Sequence, residues 1–190
     1  IIYNDELSHV AERDIFLNYL ALGNVYQTNG NVFASATIDL TPKLQVNPIV
    51  RYDLFSFGYD NKLDSAYNYQ QVQDGILTYK LNFDYTINQN TLVYLYTGKG
   101  FHSNDTRVVV AQNGLQTLPA AYGADFGMRF KPYKNLVLNP AAWILYLEQE
   151  FVYVGDAAIV EAGGKTLRRG LDLSARWEIT KWLFLDADVN

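Results

Sequence analysis

Residues 76–87 alternate strictly between apolar and polar side chains. Leu77, Tyr79, Leu81, Phe83, Tyr85 and Ile87 form one rank, and Thr78, Lys80, Asn82, Asp84 and Thr86 form the other. A period of two predicts a β-strand, because successive side chains leave a strand on opposite faces. Asn88-Gln89-Asn90 predict a turn, and the apolar residues 92–96 predict the returning strand. The sequence therefore predicts a long β-hairpin here.

Similar patterns predict strands along most of the chain. The predicted strands span residues 15–27, 34–40, 46–54, 76–87, 92–96, 120–130, 136–154, 171–179 and 183–189. Residues 1–14 predict a loop with one helical turn around 7–11, and Asn29-Gly30 predict a turn. Pro48 predicts a local bulge, since proline cannot donate to a ladder, and a second bulge is predicted at 148–150.

The predicted connections alternate between short and long. Short turns follow Leu40, Ile87, Lys131 and Ile179, whereas the irregular stretches 60–74, 102–117 and 155–165 run to about ten residues or more. All the short turns then lie at one end of an antiparallel sheet, which is typical of outer-membrane barrels. A soluble sandwich with Greek-key connections has no such need.

Strand length decides between these two all-β folds. A sandwich places the apolar rank inward, whereas a transmembrane barrel turns it toward lipid and the polar rank toward a wet lumen. About 9–11 tilted residues cross a bilayer, and at least five predicted strands reach that length. The sequence favours an antiparallel up-and-down transmembrane β-barrel. Tyr59, Tyr94, Tyr96, Tyr133, Trp177 and Trp182, near strand ends, suit interfacial aromatic girdles.

The barrel interpretation predicts which polar residues face the lumen. They are the charged and amide residues opposite the apolar rank: Arg51, Asp53, Lys80, Asn82, Asp84, Asp125, Arg129, Asp172, Arg176, Glu178, Asp186 and Asp188. The long loops at 60–74 and 102–117, rich in Tyr, Asn and Gln, are the candidate ligand-binding segments. The sequence does not single out ligand-contacting residues within them.

Composition and motifs exclude several other classes. The 190 residues carry a net charge of −5 and no cysteine, which argues against nucleic-acid binding, disulfide frameworks and thiolate zinc sites. His9 and His102 are interpreted as two loop histidines, without the convergent ligands of a metal site. Gly164-Lys165-Thr166 lacks the earlier glycine of a phosphate loop. The carboxylate pairs Glu148/Glu150 and Asp186/Asp188 fit a wall better than a glycosidase cleft. We predict no catalysis, metal site or cofactor.

Five short motifs, in order, resemble the carboxy-terminal barrel of TonB-dependent outer-membrane receptors. Leu40-Thr41-Pro42-Lys43-Leu44 followed by Arg51-Tyr52-Asp53-Leu54-Phe55 is similar to one hairpin of that family. The segment 98–105 (GKGFHSND) resembles the end of one barrel strand and the start of an extracellular loop. Residues 152–156, 168–172 and 182–186 resemble its later strands. The match covers most of residues 31–190.

The resemblance implies a larger assembly than this chain. Such receptors are 22-stranded barrels with an amino-terminal plug, and they take up scarce nutrients such as iron chelates, cobalamin or glycans with energy supplied through TonB. We therefore expect residues 1–190 to be part of one barrel domain, contributing eight or nine strands, with the plug and the other strands absent from the chain. Implied partners are outer-membrane lipid, a small-molecule or oligosaccharide ligand, and TonB through the absent plug. The implied location is the bacterial outer membrane.

Two alternatives to this interpretation stay open at the level of sequence. One is a small, complete outer-membrane barrel of eight to ten strands that is structural or forms a simple pore. Hydrogen-bonded closure between its first and last strands would favour that alternative. The other is a soluble all-β binding protein, whose apolar rank would pack inside a closed core.

Overall fold

The computed structural model describes residues 2–3, 6–12, 15–63, 68–111, 113–114, 117–154 and 159–190. Within these ranges the chain is almost entirely strand, with one short helix. The elements are β1 (Ile2–Tyr3), β2 (Glu6–Glu12), β3 (Ile15–Ser35), β4 (Ile38–Thr41), β5 (Leu44–Asn61), β6 (Asn68–Asn88), β7 (Thr91–Phe101), α1 (Thr106–Ala111), β8 (Ala120–Tyr133), β9 (Leu136–Leu147), β10 (Phe151–Val154), β11 (Ile159–Ala162), β12 (Thr166–Thr180) and β13 (Leu183–Val189).

The strands form one large antiparallel sheet in which chain neighbours pair. The hydrogen-bonded order is β1-β3-β5-β6-β7-β8-β9-β12-β13, with β2 also paired to β3 and β4 to β5. Strands β10 and β11 form a separate two-stranded hairpin. Turns at residues 42–43, 89–90, 134–135 and 181–182 lie at one end of the sheet, and the longer connections lie at the other. This is the predicted up-and-down arrangement with unequal ends.

Pairing register divides the sheet into two faces, since directly opposed residues share a face. We call the face carrying Tyr79, Leu81 and Phe83 the apolar face, and the face carrying Lys80, Asn82 and Asp84 the polar face. Along one row of the apolar face, Val46, Phe83, Leu95, Phe126, Ala142 and Leu171 stand opposite one another on successive strands. Leu77 is 52% exposed and Leu171 is 74% exposed. Large apolar side chains therefore cover an open surface rather than a closed core.

Several expected loops are strands. The predicted loop at 1–14 is wrong for Glu6–Glu12, which form β2 and pair with β3 rather than forming a helical turn. The predicted turn at Asn29-Gly30 is also wrong, because both residues lie inside β3, opposite Phe55 and Leu54 of β5. The stretch 60–74 is mostly strand: β6 begins at Asn68, and Gln70 and Asp74 pair with β5. These extensions lengthen the wall at the long-connection end.

Two strand irregularities differ in position from those predicted. Pro48 continues the ladder to Leu81 on β6, and the interruption falls on the facing strand, at residues 36–37 between β3 and β4. The predicted strand at 136–154 divides after Leu147 into β9 and β10, and the expected loop at 155–165 contains β11. The expected irregular stretch at 102–117 contains α1. The division after Leu147 sends the chain away from the main sheet into the β10–β11 hairpin.

Candidate functional site

The polar face gathers the sequence-predicted polar residues. Opposed pairs or alternate positions on paired strands place Arg51, Asp53, Lys80, Asn82, Asp84, Asp125, Arg129, Asp172, Arg176, Glu178, Asp186 and Asp188 on this one face. Their assignment to a barrel lumen stays a prediction, since the register defines a shared face and not what that face encloses.

A cavity of about 910 Å³ lies against the polar face near the short-turn end. It is lined by Asp84 of β6, Arg129 of β8 and Arg176 of β12, together with Asp186 and Asp188 of β13. Four strands separate β6 from β13 in the sheet order. A single cavity can contact both strands only because the sheet curves around it. The polar face is therefore concave.

Hydrogen bonds connect neighbouring strands along this concave wall. The Tyr96 hydroxyl donates to Asp84 at 2.8 Å, and the Asn47 amide donates to the same carboxylate at 3.3 Å. Arg176 Nε lies 2.7 Å from Asp186, and both side chains are more than half exposed. Exposed ion pairs contribute little to stability because solvent screens them, so the Arg176–Asp186 pair shapes the wall more than it stabilises it.

Arg51 and Asp53 form a second ion pair on the polar face, nearer to the long-connection end than the Arg176–Asp186 pair. The Asp53 side chain is fully buried, whereas that of Arg51 is 45% exposed. Arg51 donates from Nε and Nη2 to both carboxylate oxygens, over 2.6–3.1 Å. A buried carboxylate needs such a partner, because an uncompensated buried charge is expensive. The pair holds a negative charge inside the wall and presents the guanidinium to the concave side.

Arg51→Gln is expected to destabilise the folded protein, since it leaves Asp53 buried without its cation. The change is measured as a lower denaturant midpoint for loss of the heat-modifiable band of the full-length protein. Adding Asp53→Asn to Arg51→Gln removes the orphaned charge and recovers most of the loss. A double variant less stable than Arg51→Gln contradicts this account.

A hydrophobic cluster covers the polar face at the long-connection end. The connection between β7 and β8 folds back over β5 and β6, and its helix α1 contacts β3, β5 and β6. The cluster consists of the buried residues Phe55, Phe57, Val109, Val110 and Leu118. Phe57 and Val109 are 0% exposed, and the Phe55 and Phe57 rings stack with centroids 5.6 Å apart. We call this set the loop cluster; it holds the β7–β8 connection against the concave wall.

Charged groups lie beside the loop cluster. Arg107 of α1 donates to both oxygens of Asp105 at 3.0 and 2.8 Å. That hydrogen bonding to Asp105 raises the pKa of the Arg107 guanidinium above its usual value. Partial burial lowers the pKa of His102, which follows β7, so the neutral imidazole is favoured there. The long-connection end of the polar face thus carries a guanidinium that stays charged, at Arg107, and an imidazole whose neutral form is favoured, at His102.

Two aromatic rings lie directly over glycines on the polar face. The Tyr94 ring occupies the space that a side chain at Gly127 would fill. The Trp143 ring does the same at Gly170, within 2.6 Å of where a Cβ would stand, and Trp143 Nε1 donates to Asp172 at 3.1 Å. Only glycine leaves room for a ring at these positions, so both rings pack closely against the sheet.

Some aromatic assignments made from sequence are wrong. Tyr94 and Tyr96, expected in an interfacial girdle, stack on the polar face with centroids 4.5 Å apart. Tyr59 packs against the loop cluster. Trp177 shares the apolar face, opposite Leu136 and Leu185, and is 43% exposed. Both histidines were expected in loops. His102 does follow the end of β7, but His9 lies within β2, and its side chain is outside the described residues.

The described residues hold no group of three or more His, Cys, Asp or Glu side chains placed to bind a metal ion. The carboxylates considered from sequence have other partners. Glu148 accepts a hydrogen bond from the Ala120 amide at 3.1 Å, and Glu150 forms an ion pair with Arg168. In the same ranges of the chain, no helix has both the length and the apolar character needed to span a membrane.

A curved antiparallel wall with an exposed apolar face, a polar concave face and a loop folded inward is the architecture of a barrel receptor. The family model described as "TonB dependent receptor-like, beta-barrel" matches residues 10–190. The chain belongs to this family, as the five motifs predicted. Its members are transporters and not enzymes. No curated protein matches the chain in sequence.

Solved structures of such receptors share this fold. The siderophore receptor PiuA from Acinetobacter baumannii superposes with a TM-score of 0.68 at 16% identity, over 84% of this chain and 24% of that one. The ferric yersiniabactin uptake receptor FyuA from Yersinia pestis gives 0.68 at 17% identity, over 88% and 27%. The copper transporter OprC gives 0.69 at 13% identity, over 95% and 30%. The chain spans less than a third of the length of these three proteins.

The two structural alternatives lack support. Among the described strands, β1 and β13 end the pairing order at opposite edges, so they supply no closure of a small barrel. A soluble binding protein would pack the apolar rank inside, yet Leu77, Tyr79 and Leu81 are 52%, 48% and 37% exposed. The described sheet instead has the fold of the TonB-dependent receptor barrel, whose family model matches residues 10–190.

Proposed function

We propose that this chain forms part of the barrel wall of a TonB-dependent receptor that takes up a scarce nutrient across a bacterial outer membrane. The two-faced sheet carries this proposal. The apolar face contacts lipid, and the polar face, which includes the twelve charged or amide residues predicted from the sequence, lines a water-filled lumen. Strands outside the chain complete the barrel, and a plug domain fills it and contacts TonB.

The nutrient enters from the long-connection end. The β7–β8 connection supports this assignment, because it folds over the concave face there and narrows the entrance. A small ligand would meet Arg107, Tyr59 and the loop cluster before it reached the part of the polar face near the short-turn end. The candidate nutrients are an iron chelate, cobalamin or a glycan. The names of the similar structures, a siderophore receptor, a ferric yersiniabactin receptor and a copper transporter, favour a metal chelate.

The proposal is tested by nutrient-limited growth. A strain lacking the full-length receptor is supplied with ferric chelates, cobalamin or oligosaccharides as the sole source of iron, cobalamin or carbon. Loss of growth on one class, restored by the receptor gene and abolished again by deleting TonB, is the expected result. Unchanged growth on all three classes, or receptor-dependent uptake that persists without TonB, overturns the proposal.

A further inference from the structure

A groove of about 580 Å³ crosses the apolar face between β7 and β12. Register places Ala124 and Ile144 in one row, and Phe126 and Ala142 in the next. The two alanines leave a depression between the larger side chains, and Leu95 and Leu171 close its sides. The volume is within the range of about 300–1,000 Å³ of ordinary ligand sites. Because its walls are aliphatic and aromatic, the groove suits a hydrocarbon chain.

One cation lines this groove. Arg169 stands opposite Ile144 on the apolar face, between Leu167, which is 62% exposed, and Leu171. Within the described part of the chain, the ion pairs of Arg51, Arg107, Arg168 and Arg176 do not involve Arg169. Arg168, its neighbour in sequence, lies on the opposite face and is paired with Glu150. Arg169 is thus an exposed guanidinium on a surface of large apolar side chains.

The height of Arg169 on the wall indicates what neutralises it. A cation on the lipid face costs about 2–4 kcal/mol at the bilayer midplane and about 0–1 kcal/mol near the interface. Arg169 lies three residues from the start of β12, at the long-connection end. Tyr122 and Tyr146, opposed in the adjoining row with ring centroids 6.2 Å apart, supply the aromatic pair typical of that interface. The guanidinium therefore lies at headgroup level.

We propose that this groove is a lipid-binding site: an acyl chain occupies the depression at Ala124 and Ala142, and Arg169 pairs with the phosphate of the same lipid. Charge complementarity selects this occupant, because a guanidinium binds phosphate through two parallel N–H donors. A neutral lipid fills the depression without satisfying Arg169. The site rests on the proposed outer-membrane location of the chain, and it adds a specific lipid to the general contact of a barrel with its bilayer.

The test measures lipid retained by the full-length receptor. The protein is purified from outer membranes in mild detergent, exchanged free of native lipid, and titrated with dipalmitoyl phosphatidic acid or with dipalmitoylglycerol, which has the same chains without phosphate. Native mass spectrometry counts bound lipid. Phosphatidic acid is expected to saturate one site with at least tenfold higher affinity than dipalmitoylglycerol.

Variants separate the phosphate contact from the groove. Arg169→Gln is expected to remove that preference, and Ala142→Phe to lower binding tenfold by filling the depression while keeping the cation. Arg168→Gln, on the opposite face, is the matched control and retains binding. Equal retention by Arg169→Gln and the unchanged protein, or no loss in Ala142→Phe, overturns the inference. The proposed function fails separately, if the unchanged receptor is missing from the outer-membrane fraction.

Discussion

Leu81→Arg is expected to block assembly of the full-length receptor in the outer membrane, whereas Asn82→Arg leaves assembly intact. Leu81 lies in the interior of β6, between Pro48 and Thr97 on the neighbouring strands, and its side chain is 37% exposed on the apolar face. An arginine on the lipid face near the midplane costs about 2–4 kcal/mol. Asn82 is next in sequence but stands on the polar face, opposite Asn47 and Tyr96.

The two variants form a matched pair, because they add the same cation one residue apart. Assembly is measured as the fraction of receptor in outer-membrane preparations that shows heat-modifiable mobility. The expected result is a folded fraction for Asn82→Arg similar to that of the unchanged receptor, with Leu81→Arg depleted tenfold or more. Equal recovery of both variants, or selective loss of Asn82→Arg, contradicts the assignment of the two faces.

Phe57→Ala is expected to release the β7–β8 connection from the concave wall. Phe57 is fully buried in the loop cluster against α1, and removing a buried phenylalanine costs about 3–5 kcal/mol. The loss of stability acts mainly on the loop, because β5 pairs without interruption with both β6 and β3 around Phe57. At about 1.4 kcal/mol per tenfold change, the open fraction of the loop rises by about two orders of magnitude or more.

Limited trypsin cleavage after Arg107 measures this opening, since cleavage follows the population of the open loop when opening is fast. The matched control is Phe126→Ala, which removes the same ring from the apolar face, where Phe126 is 58% exposed. Cleavage at Arg107 is expected to accelerate in Phe57→Ala and to stay unchanged in Phe126→Ala. The same rate in all three proteins would show that the cluster does not anchor the loop.

The strands and their two faces were predictable because every second residue of the 76–87 stretch is apolar and the residues between them are polar. Apolar and polar positions alternate over the full length, so a slip of one residue would reverse both faces. The same regularity in 171–179 predicted β12 and its apolar residues Leu171 and Leu173. Alternation is a local property, and it is read directly from the chain.

The loop cluster was not predicted because it breaks this rule. After Asp53 the apolar character moves to the other rank, so Phe55, Phe57 and Tyr59 continue the polar face of β5. This shift of the apolar residues from one rank to the other was the signal in the sequence that could have indicated the loop cluster. Its cause lies about fifty residues later, in Val109, Val110 and Leu118, which cover the rings after the chain has folded. A contact between such distant segments cannot be inferred from the period of either one.

Local turn signals also failed where tertiary pairing outweighed them. Asn29-Gly30 is a strong turn sequence in isolation, yet the ladder from Gly23 to Ser35 pairs continuously with β5. Polar residues at 68–74 gave no apolar rank, and they became strand because β5 offers hydrogen-bonding partners along that length. The ends of the wall therefore depend on neighbouring strands more than on their own side chains.

Gly127 and Gly170 determine how closely the Tyr94 and Trp143 rings pack against the concave wall, although neither glycine contributes a side chain to it. A methyl group at Gly170 would push the Trp143 ring away from the sheet, whereas one at Gly127 would meet both the Tyr94 ring and the backbone carbonyl of Pro140. Gly170→Ala, which adds no bulky group of its own, would then narrow the space beside the concave wall by displacing a ring that is already there. The space beside this wall can therefore be changed at Gly170 without altering any of the twelve polar-face residues predicted from the sequence.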